Sequence, residues 1–380
     1  MGTEVDVAVI GGGIVGLGIA WEAIRRGHTV TVVDPAPGTG ATHAAAGMIA
    51  PASELHYREE HLLRLTLDSA SRYPEFLDSL AWAGMDSGYR KTGTIVLAFD
   101  GADRRALADL QEVQTLNSLS VEQVSLRQVR RSEPMIGPAV TAAFLAAEDH
   151  QVDPRRLAAA LLKAVTSMGQ LVSARASGIE RTGDRVTGVV LESGEVLTAG
   201  VTIVANGLAA ADLTGLPCRL PLRPVYGDIL RLRVPAALRP LLTHTVRGLV
   251  RGSAVYVVPR DDGTVVVGAT MREDGSSAVS AGGVYQLLRD AQQLIPAVAE
   301  LELEEVLCRA RPGTPDNAPL LGAVPDVEGL SIATGFFRHG VLLTPAAASA
   351  CVDLLEGKPA PLGLERYRPN RFEEGQSCAK

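Results

Sequence analysis

Apolar and polar positions along the chain change period several times, and the first change is the most informative. Val7-Ala8-Val9-Ile10 is an unbroken apolar run, the pattern of a short strand buried on both faces. It leads straight into Gly11-Gly12-Gly13-Ile14-Val15-Gly16. Apolar positions then recur at helical spacing until Arg25-Arg26-Gly27, where cations and a glycine mark a stop. Thr29 to Val33 predicts a second strand, closed by Asp34 and Pro35. Together these residues read as one strand–helix–strand unit.

Between Thr66 and Val140 the pattern predicts a largely helical segment interrupted at Pro74 and Pro134. Leu157 to Leu162 reads as helix, and Gln170 to Thr202 as short strands joined by glycine-containing turns. Val201 to Val204 is another buried-strand run, ending at Ala205-Asn206-Gly207. Strand signals dominate from Asp228 to Met271, where Val255 to Val258 and Thr264 to Val267 flank Asp261-Asp262-Gly263 in a hairpin pattern. A helix near Gly283 to Leu294 and a strand holding Arg309 and Arg311 follow. The last strand is Leu330 to Ala333, and the last long helix runs from about Leu343 to Leu355.

Composition narrows the class without pointing to chemistry. With 380 residues, 46% hydrophobic and 21% charged, the chain is an ordinary globular one, long enough for two domains. A formal charge of −7 argues against a nucleic-acid face. Cys218, Cys308, Cys351 and Cys378 are irregularly spaced with no C-x-x-C pair, which suggests neither a zinc site nor a disulfide framework. The longest apolar stretch, Val7 to Trp21, is too short for a membrane span and has no basic residue before it. A cytoplasmic protein without membrane contact is therefore expected. His56 and His61 would not share a helix face, and no Gly-x-Ser-x-Gly elbow occurs, so no metal or hydrolase site is expected.

Gly11, Gly13 and Gly16 satisfy G-x-G-x-x-G after a strand and at the opening of a helix. Gly11 permits the tight turn, Gly13 lets a pyrophosphate approach, and Gly16 brings helix and strand together. The helix start, at Ile14 and Val15, presents N–H groups and a positive dipole end to phosphates. Asp34, at the end of the second strand, is placed to accept hydrogen bonds from a ribose. The alternative is a glycine-rich turn with a solvated Asp; context and spacing favour a bound dinucleotide. Whether that is FAD or NAD the motif leaves open.

Other segments have two readings each. The small residues Ala44 to Gly47 suit a backbone lying against a flat ring, or a helix start packed on a sheet. Arg309 and Arg311 share one strand face, where like charges repel unless an anion lies between them; a surface ladder is the other reading. Tyr256 is a site residue or a half-buried strand aromatic, and Met271 a pocket wall or a core methionine.

Three segments resemble the glycine oxidase (ThiO-type) branch of the D-amino-acid oxidase flavoprotein family. They are Gly40-Ala41-Thr42-His43-Ala44-Ala45-Ala46-Gly47-Met48-Ile49-Ala50-Pro51; Tyr256-Val257-Val258-Pro259-Arg260 with Gly268-Ala269-Thr270-Met271; and Arg309 to Asp316 with Gly335-Phe336-Phe337-Arg338-His339-Gly340-Val341-Leu342-Leu343 beyond it. The resemblance implies an α/β (α+β) fold in which a Rossmann-like FAD-binding domain (1–85, 145–218, 312–380) interleaves with a sheet-plus-helices substrate domain (86–144, 219–311).

It also implies FAD as cofactor. The expected contacts are Gly11, Gly13, Ile14, Val15, Gly16, Asp34, Thr42, Ala45, Ala46, Gly47, Met48, Val172, Gly207, Arg338, His339, Gly340, Val341 and Leu342. Backbone N–H groups of the 340–343 stretch would face the flavin N1 and C2 carbonyl. Arg311 and Tyr256 would hold a substrate carboxylate, Arg338 would stand near substrate and flavin, and Met48 and Met271 would wall the pocket. Covalent-flavin relatives carry a cysteine where Arg309 stands, so the FAD is expected to be non-covalent. Ala254 replaces an expected histidine, which would widen the pocket.

The function implied is oxidation of glycine or another small amino acid or amine, with oxygen reduced to hydrogen peroxide. The imine would supply thiazole formation for thiamine, and the enzyme would be a homo-oligomer, dimer or tetramer. A same-fold oxidase or dehydrogenase for an N-substituted amine, and a non-catalytic flavin-containing module, are the alternatives.

Overall fold

The computed structural model describes residues 5–359 and 363–372, so Cys378 lies outside the described residues. Two eight-stranded sheets organise a mixed α/β fold. The first grows from the strand–helix–strand unit: Val5–Ile10 pairs in parallel with Val30–Val33 on one side and Val196–Val204 on the other. Gln170–Val172 and Leu330–Thr334 continue the parallel pairing outward. Val7 and Val9 pack with helices Ile14–Arg25, Pro154–Met168 and Thr344–Leu355, while Ala8 and Ile10 face a second core that includes Ile179, Val186 and Val189. Both faces are covered, which is why the run carries no polar alternation.

The second sheet runs Glu302–Gly313, Arg223–Arg233, Thr264–Gly268, Ser253–Pro259, Thr245–Val250, Thr94–Ala98, Ala142–Ala146, Glu122–Val124. The expected hairpin is present, with Val257 opposite Val267 and Gly263 in the turn at φ 81°. One face packs on helix Ala281–Leu294. The other carries Ile229, Val258 and Val266 against Ala46, Met48 and Ala50, joining this sheet to the chain that follows the nucleotide motif.

The segment from Thr66 to Val140 departs from its largely helical expectation. Helices Leu63–Asp78, Gly101–Leu116 and Leu126–Ser132 are separated by strands Thr94–Ala98 and Glu122–Val124. Thr94-Ile95-Val96-Leu97-Ala98 is a β-branched apolar run, and the interior of the second sheet claims it. Pro74 does not interrupt its helix. Tyr73 and Phe76 bury that helix in the core, and this packing outweighs one missing backbone hydrogen bond. Among the described residues no helix is long and apolar enough to cross a membrane.

Candidate active site

A cavity of about 420 Å³ is lined by residues of both sheets and their loops. One stretch of its wall is the glycine-rich turn. A Cβ on Gly16 would lie 2.0 Å from the Gly11 carbonyl oxygen, and one on Gly11 (φ 111°) would lie 2.6 Å from Asn206 Cα. Packing of helix on strand requires both glycines. Gly13 differs, because a Cβ there would find nothing nearer than Thr42 Oγ1 at 3.6 Å. Its free side is the cavity.

The helix Ile14–Arg25 starts with no side-chain cap and no acid in its first turn, so its positive end is uncompensated. The Ile14 N–H donates to Thr42 Oγ1 at 3.0 Å. The Asp34 carboxylate accepts from Gly12 N–H and Ala36 N–H, each at 2.7 Å, and lines the cavity with its remaining lone pairs. On the same wall, Asn206 Oδ1 has no hydrogen-bond partner among the described residues. These groups fit the pyrophosphate and ribose of a dinucleotide.

Ala45, Ala46, Gly47 and Met48 continue the wall. Gly47 has φ 74°, and a Cβ there would sit 2.0 Å from the Val152 oxygen. Arg260, 8% exposed, donates to Val152 O at 2.9 Å and to the Ala46 carbonyl, and so staples this segment to the second sheet. Burial lowers its pKa to about 10, which leaves it charged at neutral pH. Across the cavity, Gly340 and Val341 line the wall and their N–H groups find no acceptor among the described residues. Tyr73 Oη donates to Val341 O at 2.5 Å and Ser69 Oγ to Leu342 O at 2.7 Å. The peptide planes that carry the Gly340 and Val341 N–H groups are fixed by other bonds: His339 O accepts from the Leu343 N–H at 2.8 Å and Gly340 O from Thr344 Oγ1 at 2.8 Å. The start of helix Thr344–Leu355, where Ser69 Oγ also accepts the Ala346 N–H at 3.2 Å, lies immediately beyond.

Strand register assembles the rest. Arg247 stands opposite Tyr256, Tyr256 opposite Gly268, Gly268 opposite Ile229, and Ile229 opposite Leu307, a row on one sheet face. Further along the same strands Gly227 stands opposite Arg309 and Val225 opposite Arg311. Two strand glycines make room for large side chains. A Cβ on Gly227 would fall 2.4 Å from Arg311 Nη1, and one on Gly268 2.3 Å from the Tyr256 hydroxyl.

Arg311 donates to Thr270 O at 3.2 Å, and no carboxylate among the described residues pairs with it. Arg309 lines the cavity too, donating to the carbonyls of Cys308 and Thr39. Tyr256 is pushed up by burial, with Arg311 pulling the other way, so its phenol is neutral at physiological pH. Arg338 lines the cavity, paired with Glu59 and stacked over Phe337 at 5.0 Å.

The cavity wall thus gathers Gly13, Ile14, Val15, Asp34, Thr42, Ala45, Ala46, Gly47, Met48, Gly207, Tyr256, Arg311, Arg338, Gly340 and Val341. Gly11 and Gly16 lie beneath it. Val172 is not on the wall; its carbonyl accepts the Asp34 N–H at 3.1 Å and so sets that residue's place. His339 is buried behind the wall at 4% exposure, and Leu342 contributes a carbonyl to Ser69.

Met271 is 61% exposed and off the wall, contrary to expectation. Both residues lie beyond the strand Thr264–Gly268: Thr270 Oγ1 donates to Asp228 Oδ2 at 2.9 Å, the Arg272 N–H donates to Tyr226 O at 2.8 Å, and between these anchors the Met271 side chain stands in solvent. Ala254 is exposed and also off the wall, so the widening expected from it is not seen. Sequence reasoning missed Glu54, Arg247, Arg260, Gly268, Ser69 and Tyr73. An interior strand glycine is the only local signal among them, and it belongs to Gly268.

Residues 6–354 match the DAO family, FAD dependent oxidoreductase. The chain belongs to that family. As a member it is an oxidoreductase with FAD as its cofactor, and the cavity wall fits that group. It is 35% identical over 382 residues to the bifunctional protein ThiO/ThiG of Synechocystis sp., covering 98% of this chain and 55% of that protein. The chain therefore spans about half the length of that relative. The glycine oxidase of Geobacillus kaustophilus is 31% identical over 372 residues, covering 95% of this chain and 97% of the relative. The crystal structure of glycine oxidase from that species has a TM-score of 0.89 at 30% identity, covering 97% of this chain and 99% of that one. Iminodiacetate oxidase from Chelativorans sp. has a TM-score of 0.85 at 28% identity, covering 96% and 98%.

Proposed function

We propose that this flavoenzyme oxidises the α-carbon of glycine or another small amino acid to the imine, with molecular oxygen reduced to hydrogen peroxide. The observation that carries this reading is Arg311, a half-buried guanidinium on the cavity wall near Tyr256 with no carboxylate partner among the described residues. A cationic fork of that kind suits a ligand carboxylate held in bidentate fashion. The neutral Tyr256 hydroxyl donates to the same carboxylate. Holding it from two sides gives the α-carbon one orientation, and positioning of this sort lowers the barrier.

When bound, FAD supplies the two-electron acceptor for the hydride that leaves the α-carbon. The substrate amine, in its neutral form, supplies the electron pair of the new C=N bond, so no side chain has to remove a proton from carbon. The N–H groups of Gly340 and Val341 and the start of helix Thr344–Leu355 offer positive potential where negative charge gathers. Cys308 supports non-covalent attachment: its thiol receives a hydrogen bond from Arg272 Nη2 at 3.3 Å and is not on the cavity wall.

The likeness to glycine oxidase supports glycine as substrate, and the likeness to the ThiO/ThiG protein supports its imine as a precursor for thiamine thiazole formation. The likeness to iminodiacetate oxidase supports an N-substituted glycine as the second reading. A visible spectrum before and after anaerobic addition of substrate tests both. Bleaching by glycine is expected, with peroxide formed when air is admitted. A flavin that stays oxidised with glycine, sarcosine, D-alanine and iminodiacetate contradicts the proposal.

A further inference from the structure

Two ion pairs flank the Arg311 side of the cavity, and they are turned in opposite senses. In one, Arg338 is on the wall while its partner Glu59 lies off it, held also by Asn317 Nδ2 at 3.0 Å. In the other, Glu54 is on the wall and Arg247 lies off it, donating from Nη1 to Glu54 Oε1 at 2.7 Å. Glu54 is only 8% exposed, although carboxylates are rarely buried to this degree. Its Oε2 receives no hydrogen bond from the described residues, and His339 Nδ1 is 3.9 Å away.

Glu54 cannot swing freely. The buried Asp149 carboxylate accepts from the N–H groups of Ala52 at 3.2 Å and Ser53 at 3.1 Å, and Gln114 Nε2 donates to Ala52 O at 2.9 Å. Burial works against its charge, but Arg247, His339 and Arg338 hold the Glu54 carboxyl below the usual carboxylate range. A fixed anion therefore faces the space that Arg311, Arg338 and Tyr256 also face. An ion pair with a purely structural task has no need to turn its carboxylate inward and its guanidinium away.

We propose that Glu54 recognises the cationic amine of the substrate, so that the site selects a zwitterionic amino acid by Arg311 at one end and Glu54 at the other; the bound ammonium then gives one proton to solvent, which leaves the neutral amine that the hydride step uses. This rests on the amino-acid oxidase reading above. It makes Glu54 a specificity-determining residue, disfavouring ligands that lack the cation or carry a second anion near it. Glycolate is a suitable probe, having the shape of glycine with a hydroxyl in place of the ammonium. Iminodiacetate is the probe for a second carboxylate.

The test uses the FAD-loaded protein and reads ligand binding from perturbation of the flavin spectrum, with reduction by glycine followed separately. In Glu54→Gln, glycine binding is expected to weaken by about tenfold or more, as for loss of one charged hydrogen bond. Glycolate binding should be unchanged or tighter, and iminodiacetate tighter. Glu54→Asp, which keeps the charge, should fall between wild type and Glu54→Gln for glycine and serves as the readout if Glu54→Gln does not fold. Parallel changes for glycine and glycolate, or no change for either, overturn the inference. A wild-type flavin that binds glycine but is not reduced by it overturns the oxidase reading instead, while the binding comparison still decides the role of Glu54.

Discussion

The nucleotide stretch of the cavity wall comes mostly from one short length of chain, Gly13 to Gly47, whereas the substrate stretch draws on Met48 and Glu54, on Tyr256, on Arg309 to Pro312 and on Phe336 to Arg338. The first depends on backbone: glycines, N–H groups, a helix start. The second depends on side chains delivered by strand register, with pairs such as Arg247 and Glu54 meeting across 193 residues of sequence. Backbone sites tolerate no added atoms. Side-chain sites tolerate them at some cost in geometry, because the far end of a long side chain can move.

The sharpest break of that comparison is at the glycines. Gly16→Ala places a methyl group on the Gly11 carbonyl oxygen, so helix and strand must separate. We expect protein that purifies without flavin and melts well below wild type. Gly13→Ala should separate the two effects. Among the described residues its methyl meets only an ordinary contact, Thr42 Oγ1 at 3.6 Å, so the apoprotein should melt within about 2 °C of wild type. Its FAD affinity, measured by flavin fluorescence quenching, should nevertheless fall by about tenfold or more, since the space is reserved for the cofactor.

On the substrate side, the atoms nearest to the methyl of Gly227→Ala belong to the Arg311 guanidinium, a movable group. Flavin content and stability should be near wild type, while half-saturation of glycine-dependent flavin reduction rises by about tenfold. A drop in flavin content with unchanged half-saturation would show that this strand serves the fold rather than the substrate.

The smallest effect expected concerns pH. Burial pushes Asp149 up to about 6, above its unfolded value near 4. The folded state therefore holds this proton longer than the unfolded chain, and the associated stability is full below about pH 4 and lost as pH rises through 6. Asp149→Asn lacks that loss, and its carbonyl still accepts from Ala52 or Ser53. The variant should gain on wild type by up to about 3 kcal/mol between pH 4 and pH 7, read as a growing difference in Tm. A difference that stays flat with pH would contradict the burial account of this carboxyl.

How much could be read in advance follows the same division. Gly11, Gly13, Gly16 and Asp34 were legible because their task is local, so spacing alone announces it. That Arg311 and Tyr256 stand on the cavity wall was legible only through resemblance, since an arginine on a strand gives no sign of what it will face. Glu54 was illegible: Ala52-Ser53-Glu54 has no motif, and its role exists only once Arg247 and Asp149 are folded against it. Met271 shows the reverse failure, a residue in a resembling segment that stands in solvent beyond the end of its strand. The strand Thr94–Ala98 was hidden among helices because its partners come from residues 142–146 and 245–249.

The most direct test of the account is anaerobic mixing of glycine with FAD-loaded Arg311→Ala, the flavin absorbance followed beside wild type. Removing Arg311, a cavity-wall arginine whose charge acts on Tyr256, should leave flavin content intact. The rate of reduction at a given glycine concentration should fall by about a hundredfold or more, the loss of two charged hydrogen bonds to the substrate carboxylate. Reduction at the wild-type rate, with flavin fully retained, would contradict the claim that this arginine holds the substrate.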